Sequence, residues 1–516
     1  MRLSATLAAV AALTVPVAAQ PAPGSCVLGS AEAVLDANDV RARVFNTGGL
    51  FYRNSVGAQY LVGGASPIYA ASLWVGGEVD GAARTAGATF SDFEFWPGPL
   101  GADGRPVDPA DCSAYDRIYS VSAEDIAAYE TSGQATADLA EWPVALGAPI
   151  LDGDGVAGNY DLAAGDRPDL GGGAQAAFWV MNDVGNQHDF TGSDPLGIEV
   201  RVLAVAPRTG DDRIDTATLY RYEIVNKSGE ALDPLRVGMF VDPDLGDAGD
   251  DFVGSDPARQ LGFVYNATDE DSDYGSAPPA VGISWLSGTL GGAFPWKFLQ
   301  DCEIPGDREE IYHYLQARWG DGDPIREGGF GCYGDGPETT WMFPGDPLAE
   351  AFWSEISEGN VPSDRYLSLV AEPVVLAPGA SATFALAVLY GRGDDHLDSI
   401  SELREATDAV RAAYEAGQIV PVSADAEPDP SEASSLALSA PHPNPASGAV
   451  RFEVHTAGPD SATLTVLDVL GRRMSAARVA AGQELELDVS RWAPGVYVAV
   501  LEADGRVAAR RFTVAR

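Results

Sequence analysis

Two Asp-rich loops contain the residues of this sequence that are best suited to chemistry. Calcium takes six to eight oxygen ligands, and Asp at alternating positions with Gly between them lets a short loop wrap around the ion. The loop is not an EF-hand, because its fifth position is Val156 and its twelfth is Ala163. The spacing still predicts a calcium site, with the candidate ligands of the first loop at Asp152, Asp154, Asp161 and Asp166.

The second loop is denser, with six Asp residues in the fifteen positions from 242 to 256. Such a concentration of negative charge costs free energy unless cations or backbone N–H groups neutralise it. An acidic surface adapted to salty surroundings would also account for it, and so would Asp side chains that cap turns. The candidate calcium ligands here are Asp242, Asp244, Asp250 and Asp251.

Charge excludes several classes of partner. The 516 residues contain 76 Asp+Glu against 32 Lys+Arg, a formal net charge of −44. Nucleic acid and anionic lipid surfaces both require basic patches, so neither is an expected partner. The two lysines, Lys227 and Lys297, do not follow a glycine, so a Walker-type phosphate loop is also excluded.

Four cysteines suit disulfide bonds in an exported chain and allow three pairings. Cys302 and Cys332 bracket one segment of about thirty residues, which favours that bridge and leaves Cys26 to pair with Cys112. Zinc is the alternative, but the sequence has no CxxC and no His within several residues of a cysteine.

Catalytic signatures are missing: there is no HExxH, GxSxG or GxGxxG before a helix. A glycosidase needs only two suitably spaced carboxylates, for which Glu94 and Glu355 are the aromatic-flanked candidates. Isolated histidines at 188, 313 and 396 fit surface or loop positions better than roles as a base or ligand. No catalytic residue is therefore predicted.

The region that positions these residues, 31–425, is predicted to be mainly β and sandwich-like, in one or two subdomains. The chain's 58 Gly and 35 Pro punctuate apolar or alternating runs of strand length. These runs are Arg43–Phe45, Ala70–Val75, Ala176–Met181, Ile198–Val205, Leu219–Val225, Arg236–Phe240, Leu261–Tyr265, Val281–Leu286, Tyr366–Ala371 and Ala382–Tyr390. One late amphipathic helix is predicted over Leu397–Gln418, ended by Gly417 and packed on the sheet.

Both ends of the chain have a distinct composition. Residues 1–19 combine Arg2, an apolar run and small residues before Gln20, the pattern of a secretory signal peptide. No other segment is apolar enough over about 20 residues to span a membrane. Residues 421–438 are rich in Pro, Ser, Asp and Glu, a composition typical of a linker.

Residues 439–516 are predicted to form a small Ig-like β-sandwich, because short strand-like runs alternate with turns. Their motifs resemble the type A C-terminal sorting domain of the Bacteroidota type IX secretion system. The resemblance rests on Pro443-Asn444-Pro445, on Asp468 and Gly471 within Asp468-Val469-Leu470-Gly471-Arg472, and on Gly495 and Tyr497 within Pro494-Gly495-Val496-Tyr497. It implies an interaction with the type IX secretion machinery, export to the outer cell surface or the medium, and release or attachment to surface polysaccharide. His442 stands where the family more often has an aromatic residue.

Residues 31–425, which we call the passenger region, resemble a large family of secreted Bacteroidota proteins without an established activity. The matching segments include Ala71-Ser72-Leu73-Trp74-Val75-Gly76-Gly77, Tyr220-Arg221-Tyr222-Glu223 and Val241-Asp242-Pro243-Asp244. This family supplies no catalytic residues. We expect a non-enzymatic adhesion, structural or ligand-binding protein with calcium-stabilised loops, and the alternative is a secreted hydrolase or carbohydrate-active protein. Burial of Trp74, Trp179 and Trp285 would favour the first, and an exposed aromatic groove with two facing carboxylates the second.

Overall fold

The chain folds into two compact units, Met1–Pro421 and Val422–Arg516. A computed structural model describes residues 24–53, 57–79, 81–108, 110–156, 158–296, 305–332, 334–349, 352–420, 437–438, 446–455, 462–468, 472–479, 484–493, 495–503 and 506–515. The predicted signal peptide (1–19) and residues 421–436 of the predicted linker lie outside the described residues.

The first unit contains two large antiparallel sheets, and sheet 1 has ten strands. Its main path, in spatial order, is Glu32–Leu35, Val40–Phe45, Gly49–Leu50, Ala70–Val79, Leu232–Asp242, Tyr366–Ala371 and Leu290–Trp296. Three further strands, Tyr60–Val62, Ala82–Ala86 and Val374–Leu376, pair with the second, fourth and fifth strands of this path.

Sheet 2 has nine strands. Its path is Tyr119–Ser122, Gly173–Asn182, Ile198–Pro207, Thr218–Asn226, Ser381–Gly391, Ala280–Trp285, Leu261–Asn266 and Asp251–Asp256, with Trp96–Pro97 paired to the second. Three two-stranded ribbons complete the unit: Tyr52–Arg53 with Gly57–Ala58, Ile150–Leu151 with Arg167–Pro168, and Glu270–Asp271 with Gly275–Ser276.

Apolar side chains of both sheets join in one hydrophobic core, as expected for a sandwich. Trp74 of sheet 1 and Trp179 and Trp285 of sheet 2 belong to this core and are at most 2% exposed. The prediction of a mainly β, sandwich-like passenger region is confirmed. Successive side chains of a strand point to opposite faces of its sheet, so apolar residues at alternate positions all face the shared core.

Sheet 2 is also covered on its other face, where a second core joins its strands to helices. The helices of the unit are α1 (Ala123–Ser132), α2 (Ala137–Ala140), α3 (Asp212–Asp215), α4 (Arg308–Tyr314), α5 (Glu355–Glu358) and α6 (Asp398–Glu415), with 3₁₀ turns at Ser113–Tyr115, Val144–Leu146, Ala248–Asp250 and Pro257–Arg259.

Helix α6 is the amphipathic helix that the sequence predicts. It buries Ile400, Leu403 and Val410 in this second core. The chain leaves the helix at Gly417, whose φ of 67° lies in the left-handed region that glycine adopts at helix ends.

The second unit is a small sandwich of two sheets. One has the order Ala437–Leu438, Ala449–His455, Glu484–Asp488, and the other has the order Arg473–Val479, Ala462–Asp468, Gly495–Ala503, Arg506–Val514. Val450 and Leu487 of the first sheet share a core with Leu464, Val466 and Leu501 of the second. Among the described residues of the whole chain, no helix is long and apolar enough to cross a bilayer.

Candidate metal centres

The first acidic loop is closed by the ribbon of Ile150–Leu151 and Arg167–Pro168. This pairing brings the two ends of the loop together, so that Asp152, Asp154 and Asp166 each offer a carboxylate oxygen within 4.8 Å of the others. Asp152 is exposed and Asp166 is buried. The geometry can hold a metal ion between three carboxylates.

Backbone N–H groups already neutralise part of the charge of this loop. Asp152 Oδ1 accepts hydrogen bonds from the N–H of Asp154 (3.1 Å) and of Gly155 (2.6 Å). Asp166 accepts from the N–H of Asp161 (2.7 Å) and of Gly153 (2.9 Å). These bonds hold the pKa of the Asp166 carboxyl below its usual range.

Asp161, the fourth predicted ligand of the first loop, is not part of the three-carboxylate group. Its Oδ1 accepts hydrogen bonds from the N–H groups of Ala163 and Ala164, both at 3.0 Å. This side chain caps a turn, and the loop as a whole therefore combines a candidate ion site with Asx-type turns.

The second acidic cluster consists of Asp242, Asp244 and Asp364, whose carboxylate oxygens also lie within 4.8 Å of one another. Asp242 ends the strand Leu232–Asp242, and Asp364 lies two residues before Tyr366–Ala371. Val241 is opposite Leu367 in this antiparallel pair, so the end of one strand meets the start of the other. The sequence does not predict Asp364 as a ligand, because no acidic or Gly-rich run surrounds it.

The two clusters differ in how their charge is compensated. Among the described residues, no backbone N–H and no basic side chain donates a hydrogen bond to the carboxylate of Asp242, which is only 4% exposed. Burial, followed by the charges of Asp244 and Asp364, raises the pKa of Asp242 to about 9. Burial and the charge of Asp364 likewise raise the pKa of Asp244 to about 6. The cluster therefore favours either bound protons or a bound cation.

Aromatic rings border this second cluster. Tyr52 stacks on Tyr69 with ring centroids 4.2 Å apart, and Tyr366 stacks on Trp296 at 4.6 Å. Burial raises the pKa of the Tyr69 and Tyr366 phenols, with Asp242 adding to the effect. The phenols thus stay neutral, and they do not compensate the negative charge of the three carboxylates.

Asp250 and Asp251, the other predicted ligands of the second loop, are not in the group of Asp242. Asp251 begins the edge strand of sheet 2, and its Oδ2 accepts a hydrogen bond from Leu245 N at 3.0 Å. The predicted single cluster of this loop is therefore divided between two places in the fold.

A disulfide bond joins Cys26 and Cys112. Both cysteines are buried and share a small core with Trp96. Cys332 also takes part in a disulfide bond. Its predicted partner, Cys302, lies outside the described residues.

The two carboxylates considered for glycoside hydrolysis are buried and fully engaged. Glu94 is 1% exposed, accepts hydrogen bonds from Thr191 N (2.7 Å) and Gly87 N (3.1 Å), and lies 3.7 Å from His188 Nδ1. Glu355 forms an ion pair with Arg365 at 2.9 Å, and neither side chain is exposed. Neither carboxylate is therefore exposed to a substrate, and burial raises the pKa of Glu94.

The remaining histidines also make structural contacts. His313 Nδ1 lies 2.7 Å from the carbonyl oxygen of Gly320, and His396 Nδ1 lies 3.7 Å from a carboxylate oxygen of Asp269. Neither contact brings a histidine to one of the two acidic clusters.

Part of the predicted sorting motif lies in the second unit. Gly495 begins the strand Gly495–Ala503, and Asp468 ends Ala462–Asp468 opposite Tyr497. The buried Tyr497 packs on Trp492, with ring centroids 5.0 Å apart, and donates a hydrogen bond from its hydroxyl to Ala493 O at 2.8 Å. The other motif residues, Pro443, Asn444, Pro445 and Gly471, lie outside the described residues.

Solved structures similar to this chain are distant. A polysaccharide lyase shares 10% identity over 61% of this chain and 34% of its own, with a TM-score of 0.21. A Faecalibacterium prausnitzii beta-glucuronidase shares 18% over 28% and 29%, with a TM-score of 0.13. The BSP domain of a biofilm associated protein shares 9% over 55% and 48%, with a TM-score of 0.15. This chain thus spans about a third of the lyase, and nothing about activity follows from TM-scores this low.

The sequence comparison identifies the C-terminal unit. No curated protein matches the chain significantly. Residues 441–515 match the family model of the secretion system C-terminal sorting domain. The protein therefore carries a type IX secretion C-terminal sorting domain, which directs it to the cell surface or the surrounding medium.

Proposed function

We propose that this exported protein is non-enzymatic, serves adhesion, surface structure or ligand binding, and has acidic loops that calcium stabilises. The observation that carries the proposal is the cluster of Asp242, Asp244 and Asp364. Its three carboxylates converge within 4.8 Å, and no backbone N–H or basic side chain of the described residues neutralises Asp242. Oxygen-only ligands of this kind suit a hard cation such as calcium.

The buried positions of Glu94 and Glu355 support a non-enzymatic role. Catalytic carboxylates must reach a substrate, whereas Glu94 is bonded to Thr191 and Gly87, and Glu355 to Arg365. Trp74, Trp179 and Trp285 are buried and cannot provide a stacking surface for a sugar. Their burial is what we expect of a structural sandwich.

A second candidate function is the cleavage of an extracellular polysaccharide. It is favoured by the half-buried Tyr52 and Tyr69 beside the second acidic cluster, because aromatic rings next to oxygen-rich groups suit sugars. Incubation of the calcium-loaded protein with surface polysaccharides distinguishes the two candidate functions. Binding without new reducing ends supports the first proposal, and release of reducing ends would favour the second.

Calcium dependence is tested by thermal unfolding of the exported chain in calcium, in magnesium and in chelator at matched ionic strength. An ion that binds only the native state adds about 2.7 kcal/mol at a hundredfold excess over its dissociation constant. We expect a calcium-specific rise in the unfolding midpoint that Asp364→Asn reduces. Asp36→Asn, which removes the same charge from an exposed side chain, is the matched control.

The proposal of calcium binding would be wrong if sodium and magnesium raised the midpoint as much as calcium. In that outcome the acidic loops are an adaptation to salt, since screening does not distinguish among cations in this way. An equal loss of calcium stabilisation in Asp36→Asn and Asp364→Asn would also contradict a specific site.

A further inference from the structure

Among the described residues, three buried acceptor oxygens at the end of sheet 2 have no hydrogen-bond partner. They are Oδ1 of Asp250, Oδ1 of Asp251 and Oδ1 of Asn266. Asp251 and Asn266 are 0% exposed. A buried oxygen without a donor costs free energy, and the cost is greater when the oxygen is charged. Three such oxygens in one place therefore require a physical cause.

Strand pairing brings these side chains together. Asp251 and Asn266 are directly opposite each other in the antiparallel pair Asp251–Asp256 and Leu261–Asn266. Residues in such positions point to the same face of the sheet, with Cβ atoms about 4.5–5.5 Å apart. Asp250 precedes the strand and is held there by a hydrogen bond from Ala267 N to its carbonyl oxygen at 2.9 Å. The Asp250 carboxylate lies beside the Asn266 side chain, and a hydrogen bond between the two side chains partly offsets the effect of burial, which raises the pKa of Asp250.

Hydrogen bonds orient the Asn266 amide. Its Nδ2 donates to the carbonyl oxygens of Thr268 and Glu270, both at 3.0 Å. The nitrogen is thereby committed to the neighbouring turn, and the amide oxygen is left without a donor. Asn266 is neutral, so its unpartnered oxygen is evidence for a ligand that does not depend on the acidic residues around it.

Negative charge at this place is not compensated by basic side chains. Among the described residues, no ion pair joins Asp250, Asp251 or Asp271 to a Lys or Arg. Asp271 is saturated instead by the backbone N–H groups of Asp247 (2.9 Å), Asp273 (2.8 Å) and Tyr274 (2.7 Å). Burial, together with neighbouring carboxylates, raises the pKa of Asp250 and of Asp251.

We propose that Asp250, Asp251 and Asn266 form a cation site that is separate from the cluster of Asp242, Asp244 and Asp364. Two carboxylates and an amide oxygen are ligands of a hard divalent ion, and calcium tolerates their irregular arrangement better than magnesium does. The proposed function supplies only the choice of calcium, and the site itself stands on different residues. The competing occupant is a proton on Asp251 that is donated to Asn266 Oδ1.

The test counts calcium ions bound by the demetallated exported chain and by three isosteric variants, using dialysis and atomic emission. Asp250→Asn and Asp251→Asn should each bind one ion fewer than the parent protein. Asp364→Asn, which alters only the other cluster, should retain the ion held by Asp251. Asp250 is half-buried, so Asp250→Asn keeps the test open if Asp251→Asn does not fold.

The unfolding midpoint provides a second readout, because Asp251→Asn should shift it in opposite directions in chelator and in calcium. Asp251→Asn removes a buried charge, so it should raise the unfolding midpoint in chelator and lower it, relative to the parent protein, in calcium. If a proton occupies the site in place of calcium, Asp251→Asn shifts the unfolding midpoint equally in chelator and in calcium. The number of bound calcium ions then does not change. This outcome overturns the proposal. If Asp364→Asn loses no ion while Asp251→Asn does, the calcium site proposed at Asp242 fails and this one stands.

Discussion

Asp242 combines burial with like charges in a way that links the stability of the protein to pH. Its pKa is raised to about 9 from an ordinary value of 3.8, first by burial and then by Asp244 and Asp364. A folded state that holds a proton more tightly than the unfolded state loses stability as pH rises between the two pKa values. A cation bound by the three carboxylates would oppose this loss, because it would take the place of the proton.

In chelator we therefore expect the contribution of Asp242 to the free energy of unfolding to fall as pH rises from about 4 to about 9. Below this range both states hold the proton, and above it both have lost it. Asp242→Asn should flatten the dependence, since the amide does not titrate. Urea midpoints at several pH values and constant ionic strength measure the slope, and an unchanged slope in the variant would contradict the assignment.

The pair of Glu355 and Arg365 illustrates a different use of buried charge. The Glu355 carboxylate also accepts from Asn360 Nδ2 at 2.9 Å, and Arg365 donates to Val361 O at 2.9 Å. A buried pair with further hydrogen bonds is costly to break, because removal of one partner leaves the other charge unpaired.

Arg365→Met should reduce the free energy of unfolding by about 3–5 kcal/mol, because Glu355 is then a buried, unpaired charge. Arg365→Met combined with Glu355→Gln should be less destabilised than the single variant. Chemical denaturation of both proteins provides the comparison. Equal stabilities of single and double variants would show that the packing of Arg365, which includes the Phe330 ring at 5.2 Å, matters more than its charge.

At the scale of elements, sheet 2 separates two apolar cores. One of its faces meets sheet 1, and the other is covered by helices, above all by α6. A sheet buried on both faces has strands without strict polar alternation, as in the run Val200-Arg201-Val202-Leu203-Ala204-Val205. Helix α6 therefore completes the core of the first unit.

Leu403→Ala should cost about 2–5 kcal/mol, because it opens a cavity under α6 where Leu403 is 0% exposed. Glu405→Ala on the exposed face of the same helix is the control, with an expected change within about 0.5 kcal/mol. Equilibrium unfolding in urea distinguishes the two. Similar losses in both variants would mean that α6 contributes through its helicity and not through its packing.

The bond between Cys26 and Cys112 ties the start of the described chain into the first unit across a separation of 86 residues. In the chain-entropy model, closing a loop of this length stabilises the native state by about 4–5 kcal/mol. Cys26→Ser with Cys112→Ser should lower the free energy of unfolding by up to that amount. Reduction of the parent protein with a thiol should cause at least this loss, because it also opens the disulfide bond of Cys332. No change on reduction would contradict the expected stabilisation.

At the scale of the whole molecule, the sorting domain and the rest of the chain differ in charge. Residues 441–516 contain nine Arg and eight Asp+Glu, a formal charge of +1, so the rest of the chain carries −45 of the total of −44. A net charge this far from zero keeps a protein soluble through repulsion between molecules. The nearly neutral residues 441–516 carry the export signal.

Removal of residues 441–516 should keep the protein inside the cell envelope, because the sorting domain is what the secretion machinery recognises. The passenger should nevertheless fold, because described residues between 35 and 420 form its two hydrophobic cores. Fractionation with an antibody to the passenger locates both forms. Equal amounts of full-length and truncated protein in the medium would show that export does not depend on the domain.

Local patterns in the sequence are sufficient for the long central strands and the longest helix of the first unit. Apolar runs predict the strands Ile198–Pro207 and Thr218–Asn226 nearly to their ends, and periodicity predicts α6. Short strands such as Tyr60–Val62 are not predicted. Helices α1 and α4 are not predicted either, because α1 buries none of its residues and α4 has only seven. The export domain is recognisable because its motifs lie close together in the sequence.

The first candidate metal centre consists of ligands that the sequence predicts, whereas the partners of Asp242 and Asp251 are decided by the tertiary structure alone. Asp364 meets Asp242 across a pair of strands that are distant in the sequence, and Asn266 meets Asp251 across the pair at the edge of sheet 2. A set of acidic residues in one loop cannot contain either partner, nor show that Asp242 and Asp251 belong to different places. Sequence determines which side chains alternate along one strand, whereas the register between strands determines which of them share an ion.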